Sequence, residues 1–143
     1  MILVQVEEHV SSPIEAALVE KAAQETLVHQ SAGEGDLTVV LTDDAQLQAL
    51  NYEYLGIDAP TDVLSFPADF IDPDNNRRYF GDILISIARA QAQAEVASHA
   101  VQDEILLLTV HGVLHLLGHD HAEEDEKQRM WAAQDEILRR LTS

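Results

Sequence analysis

At 143 residues and 46% hydrophobic composition, the chain suits one compact domain with a single core, here expected over residues 1–143. It contains no cysteine, which excludes disulfides and thiolate metal sites, so any metal must be held by nitrogen and oxygen ligands. Its net charge of −18 disfavours strong general binding of bare RNA or DNA, because such binding needs basic patches for the phosphates.

The sequence pattern predicts neither a signal peptide nor a membrane-spanning segment. Residues 1–6 lack the basic region and cleavage pattern of a signal peptide and instead predict a strand. The longest apolar segment, residues 105–118, contains two histidines and is too short to span a bilayer. We therefore expect a cytoplasmic protein with no membrane and no DNA among its partners.

Hydrophobic patterning predicts an α+β fold with a small mixed four-stranded sheet and about five helices. The predicted strands are residues 2–6, 37–41, 62–66 and 81–86. The predicted helices are residues 13–30, 43–54, 87–100, 102–117 and 123–141.

Turn chemistry sets several of these boundaries. Ser12, followed by Pro13 and Glu15, has the pattern of a capping box at the start of the first helix. Thr42 or Asp43 can cap the second helix, and Ser86 can cap the third.

Pro67 is expected to end the third strand. Residues 68–78 are polar and rich in turn formers, so they are expected to form the most mobile loop of the domain.

The helix predicted over residues 102–117 is apolar nearly all round, which indicates a central buried helix. It carries His111 and His115, which lie one turn apart on one face. Gly118 can end the helix in a left-handed conformation and reverse the chain, so that His121 approaches from another direction. Three converging imidazoles with one open position are what a catalytic zinc site requires.

The alternative is a pair of core histidines, each satisfied by hydrogen bonds. A metal accounts for them better, because it satisfies one nitrogen of every ring at once. His119 would be the third ligand if the helix continued unbroken, but Gly118 favours His121. Asp120 either orients a ligand or accepts a proton, or is a solvated turn residue.

The histidine spacing also matches that of metzincin proteases, with one departure. Those enzymes need a glutamate directly after the first histidine to take a proton from water. This chain has Gly112 there, which disfavours peptidase chemistry.

These residues resemble the YbeY family of rRNA maturation factors. The resemblance covers roughly residues 37–140 and is carried by His111-Gly-x-Leu-His115-Leu-x-Gly118-x-Asp120-His121, by Leu50-Asn51, by Asp58-x-Pro60-Thr-Asp-Val-Leu-Ser-Phe-Pro67, by Gly81-Asp-Ile83 and by the tail 130–138. It implies a zincin-related α+β fold with Zn²⁺ on His111, His115 and His121. It also implies a single-strand-specific endoribonuclease acting on ribosomal RNA, in 16S rRNA 3′-end maturation and ribosome quality control.

The chain departs from the family pattern at two positions. Leu55 stands where members commonly carry an arginine thought to face the RNA, and His119 stands where tyrosine is frequent. Arg77, Arg78 or Arg89 could replace the missing cation in space.

Three residues are the catalytic candidates. Asp62 and Ser65, with Thr61, are either turn and strand-start residues or a polar wall of the metal cleft. Asp120 is the third candidate, while Met130 and Trp131 are expected to be core contacts.

Besides a metallopeptidase, which Gly112 makes the weakest candidate, two functions remain open at this point. The first is zinc-dependent hydrolysis of single-stranded rRNA on the small ribosomal subunit, reached by docking on a basic ribosomal protein that suits the acidic chain. The second is a non-catalytic ribosome-assembly module with a structural zinc, which Leu55 favours.

Overall fold

The computed structural model describes residues 1–142, and in this range five helices and four strands form the expected α+β fold. The strands are β1 (Ile2–Val6), β2 (Asp36–Thr42), β3 (Val63–Asp72) and β4 (Arg77–Ser86). The helices are α1 (Ala16–His29), α2 (Asp44–Leu55), α3 (Ile87–Ala97), α4 (Val101–Leu116) and α5 (Glu124–Thr142).

The four strands form one mixed sheet in the order β1-β2-β4-β3. β1, β2 and β4 are parallel, while β3 runs antiparallel to β4 along the edge of the sheet. Alternate residues of β2 and β4 pack with α1 and α4 in the main core. A smaller cluster of Leu47, Leu64 and Leu84 joins α2 to β3 and β4.

Helix α4 is the central helix that the sequence predicts. Most of its residues are buried, and it packs against α1, α3, α5, β3 and β4. Gly112 permits its close approach to the sheet, because a Cβ atom at this position would lie 2.8 Å from Ile83 Cγ2. None of the helices within residues 1–142 combines the length and the hydrophobicity that a membrane span needs.

The expectation of a mobile loop over residues 68–78 is wrong. β3 continues through Pro67 to Asp72, a tight turn follows, and β4 already begins at Arg77. Pro67 is tolerated because β3 lies at the edge of the sheet, where a missing N–H breaks no ladder. The pairing shifts between Pro67 and Phe70, which places Asp69 at a φ of 45°.

Two of the predicted helix caps are confirmed and one is wrong. Asp43 accepts a hydrogen bond from the Gln46 N–H at 2.8 Å, and Ser86 accepts one from the Arg89 N–H at 3.1 Å. Ser12 does not cap α1, which begins only at Ala16. Its hydroxyl instead bonds to the backbone of Ile14 in the preceding turn.

Candidate metal centre

Two of the three predicted histidines meet on α4 as their spacing requires. His111 and His115 are half-buried, and their Nε2 atoms lie 3.1 Å apart. Their ring centroids are 4.7 Å apart. One helical turn therefore directs two nitrogen atoms to one point.

The end of α4 brings the third histidine to the same point. The N–H groups of His119 and Gly118 donate to the carbonyls of Leu114 and His115, each at 3.0 Å, and Gly118 has a φ of 98°. These two bonds and the positive φ form a Schellman motif, which ends the helix and reverses the chain.

After the reversal, the His121 ring lies 5.9 Å from that of His111 and 5.4 Å from that of His115, between centroids. One ligand atom from each of the three side chains lies within 4.8 Å of the others. His121 is exposed, so the cluster opens to solvent on its side. The three residues could hold a metal ion.

His119 takes another direction. Its Nε2 lies 2.6 Å from Gln30 Oε1, beside the end of α1, and it is not part of the cluster. The structure therefore brings together His111, His115 and His121 and leaves the alternative, His119, outside.

Helix α5 supports the cluster through a residue that sequence reasoning missed. Gln134 is buried, and its Oε1 lies 3.1 Å from His111 Nδ1. The amide oxygen accepts the Nδ1 proton, which leaves the Nε2 lone pair free to face the cluster. A signal was present in the sequence, because Gln134 falls among the buried residues Met130, Ala133 and Ile137 of an amphipathic helix.

Trp131 is a second contact from α5. Its ring centroid lies 6.3 Å from that of His111 and 5.9 Å from that of His121, with the planes nearly perpendicular. Met130 is buried in the core as expected, but Trp131 is 40% exposed. The expectation of a core contact therefore holds for Met130 and not for Trp131.

Burial favours the neutral form of the two helical imidazoles. It lowers the pKa of His111, with the nearby His121 acting in the same direction and the Gln134 hydrogen bond opposing it. Burial also lowers the pKa of His115, followed by the effect of His111. Neutral rings have the free lone pair that a metal ligand needs.

Each of the three catalytic candidates makes a hydrogen bond of structural kind. The Asp120 carboxylate accepts the His121 N–H at 2.7 Å. The Asp62 carboxylate accepts the Val63 N–H at 2.8 Å, and its charge opposes in small part the lowering of the His111 pKa by burial. The Ser65 hydroxyl donates to the Gly112 carbonyl at 3.1 Å, which ties β3 to α4. Their catalytic roles stay predictions.

The arginines proposed to replace a cation at position 55 have other partners. Arg77, Arg78 and Arg89 form ion pairs, at 3.0, 2.7 and 3.3 Å, with Asp36, Asp69 and Asp44 in that order. Leu55 itself ends α2 and is 60% exposed.

Fold and site together define a class: an α+β protein in which a buried helix and the loop after it present three histidines to solvent. A family model described as Endoribonuclease YbeY matches residues 4–142. The chain therefore belongs to the YbeY family.

Similar proteins cover most of the chain. The Endoribonuclease YbeY of Roseiflexus sp. (strain RS-1) is 47% identical over 135 residues, spanning 90% of this chain and 84% of the relative. That of Roseiflexus castenholzii is 42% identical over 140 residues, spanning 94% and 88%. The solution structure of a Thermotoga maritima protein matches with a TM-score of 0.66 and 25% identity, covering 99% of this chain and 89% of the other.

Proposed function

We propose that the chain is a zinc-dependent endoribonuclease that cleaves single-stranded RNA. The observation that carries the proposal is the convergence of His111, His115 and His121, with Gln134 Oε1 3.1 Å from His111 Nδ1. The name Endoribonuclease YbeY, shared by the family model and by relatives up to 47% identical, supports RNA as the substrate.

The donor set fits zinc. It consists of three imidazoles, two of them with a pKa lowered by burial, with a hydrogen bond behind one ring and one side open to solvent. A zinc ion in such a site supplies Lewis acidity, which polarises a phosphate and lowers the pKa of a water molecule towards about 7.

We assign the remaining chemistry to side chains around the cluster. Asp120 is the proposed proton acceptor, because its exposed carboxylate is held beside His121 by the backbone bond. Asp62 and Ser65 are the proposed polar wall of the metal cleft, since Asp62 bonds to the Val63 N–H at the start of β3 and Ser65 bonds to the Gly112 carbonyl beside His111.

The nucleophile is either water or the ribose 2′-hydroxyl. Analysis of the product ends separates the two, because attack by the 2′-hydroxyl leaves a 2′,3′-cyclic phosphate and attack by water does not.

Peptidase activity is disfavoured by packing as well as by chemistry. A side chain on residue 112 would meet Ile83 Cγ2 at 2.8 Å already at its Cβ atom. The glutamate that zinc peptidases place after the first histidine therefore has no room here.

A ribosome-assembly module with a structural zinc is the second candidate function. It is favoured by Leu55, an exposed apolar side chain where the resemblance implies an RNA-facing arginine. The variant Leu55→Arg separates the two functions. If neither wild type nor Leu55→Arg cuts RNA above a His115→Ala control, the assembly module is the better description.

We further propose that the substrate is ribosomal RNA of the small subunit, at the 3′ end of 16S rRNA, and that a cytoplasmic basic ribosomal protein delivers it. The net charge of −18 and the ion pairs of Arg77, Arg78 and Arg89 leave little cationic surface for bare RNA. We expect intact small subunits to be cut at lower enzyme concentration than deproteinised rRNA. Equal cleavage of both would remove the need for a protein partner.

The activity itself is tested with zinc-loaded protein and a single-stranded RNA oligonucleotide. We expect cleavage that is lost with a chelator, restored by Zn²⁺ and absent in His115→Ala. Cleavage that persists in His115→Ala at full strength would contradict the proposal.

A further inference from the structure

An accessible aromatic ring lies directly beside the histidine cluster. Trp131 is 40% exposed, and its centroid is 5.9 Å from that of His121, whereas the preceding residue, Met130, is fully buried. The indole is thus both a wall of the metal centre and a surface that a ligand can reach.

A cation lies over the same ring. Lys127, one helical turn earlier on α5, places its Nζ atom 5.5 Å from the Trp131 ring centroid. Among the described residues, no carboxylate lies within ion-pair distance of Lys127, in contrast to Arg77, Arg78 and Arg89. Its ammonium group is therefore available to an anionic ligand.

We propose that Trp131 and Lys127 form a nucleotide subsite, in which the indole stacks on an unpaired base and the ammonium binds the adjacent phosphate. This inference rests on the proposed function, because it takes single-stranded RNA as the ligand of the site. A base replaces the ammonium on the indole face easily, since an exposed cation–π contact is weak. Lys127 then moves to the phosphate beside that base.

The subsite accounts for a preference for single strands. Bases in a duplex are stacked on both faces, so they offer the indole nothing to stack on, whereas an unpaired base does. Because Trp131 borders both His111 and His121, a nucleotide stacked there carries its phosphodiester to the cluster. The subsite also places a cation near the centre in a chain that has Leu55 in place of the family arginine.

The sequence provides its own probe, because Trp131 is the single tryptophan of the chain. Zinc-loaded protein is titrated with a short single-stranded oligouridylate whose 2′-O-methyl groups block attack by the ribose. We expect saturable quenching of Trp131 fluorescence, and none with a duplex of the same length. No quenching by the single strand at concentrations where anisotropy of a labelled oligonucleotide shows binding would overturn the subsite.

Three variants compare the roles of the side chains. We expect Trp131→Leu to weaken oligouridylate binding at least about fivefold, from the loss of one base stack. We expect Lys127→Ala to flatten the plot of log affinity against log salt by about 0.7, the value for one phosphate contact on a single strand. Lys21→Ala is the matched control, because it removes the other lysine of the chain, on α1 beside β1, and should change neither quantity.

Zinc content of each variant separates ligand binding from support of the metal centre. If Trp131→Leu loses zinc, Trp131→Phe restores a ring; zinc and oligouridylate affinity recovered together support the subsite, and zinc recovered alone overturns it. Unchanged binding and salt dependence in both Trp131→Leu and Lys127→Ala also overturn it.

The proposed endoribonuclease activity is tested separately from the nucleotide subsite. If the wild type cleaves RNA but the variants keep its oligouridylate affinity and salt dependence, the proposed endoribonuclease activity is supported and the subsite is contradicted. If single-stranded oligouridylate quenches Trp131 fluorescence but the protein does not cleave RNA, the subsite is supported and the endoribonuclease activity is contradicted.

Discussion

At the residue scale, some side chains of the histidine cluster and its surroundings can be predicted from the sequence and others cannot. His111, His115 and His121 follow from a four-residue spacing and a glycine, because helix geometry and a positive φ act locally. Gln134 and Trp131 reach the cluster only because α5 packs on α4, a tertiary contact that no local pattern specifies. The convergence of the three histidines could therefore be predicted, while the contacts from α5 that support them could not.

Gln134 gives the first prediction at this scale. Replacing it with leucine of similar size removes the acceptor for His111 Nδ1–H, so the ring loses its fixed tautomer and orientation. We expect Gln134→Leu to lower zinc affinity by about 10- to 100-fold, measured by competition with a chromophoric chelator. Gln134→Glu keeps an acceptor and is the matched control; equal affinity in all three proteins would show that the contact does not orient His111.

Gly112 gives the second prediction at the residue scale, which concerns stability. An added methyl group would lie 2.8 Å from Ile83 Cγ2, so α4 would have to move away from the sheet. We expect Gly112→Ala to lower the free energy of unfolding by about 1–3 kcal/mol in urea titrations. Ile83→Ala removes the opposing atoms, so the double variant should lose less than the two single losses combined. Strict additivity would mean that the two side chains do not meet.

At the element scale, the fold follows the sequence where helix signals are local and departs from it where strand pairing is not. α4 was predictable because its apolar surface is continuous, and the caps at Asp43 and Ser86 because an acceptor stands before a helix. The β3–β4 hairpin was not, since Pro67 ends a central strand but not an edge strand, and strand order is a property of the whole sheet. Ser12 failed as a cap because its hydroxyl bonds to the nearer Ile14 backbone.

The N-terminus of α2 gives a pH prediction. The Gln46 N–H, and then the His9 side chain, lower the pKa of Asp43 below its ordinary value. A carboxyl whose folded pKa is lowered adds stability above its unfolded pKa, near 3.9, and loses it as the pH falls through the folded value. We expect the stability difference between wild type and Asp43→Asn, which keeps a capping oxygen, to shrink in urea titrations as the pH falls below about 4. A difference that is constant from pH 6 to pH 3 would contradict this.

At the scale of the whole molecule, the net negative charge opposes the approach of the RNA that the proposed function requires. The chain carries 26 acidic against eight basic residues, and three of its arginines are engaged by aspartates. A nuclease of this charge approaches a polyanion unaided only slowly, since the field repels it. The proposed basic partner would supply the attraction, and the proposed subsite of Trp131 and Lys127 would supply contacts at short range.

The central claim is that three histidines, and not the fourth in the same segment, hold zinc. Elemental analysis of protein purified with Zn²⁺ tests it with single alanine variants of His111, His115, His121 and His119. We predict one zinc ion per chain in the wild type and in His119→Ala, and loss of the ion in each of the other three. Full zinc content in His115→Ala, or its loss in His119→Ala alone, would contradict the ligand set.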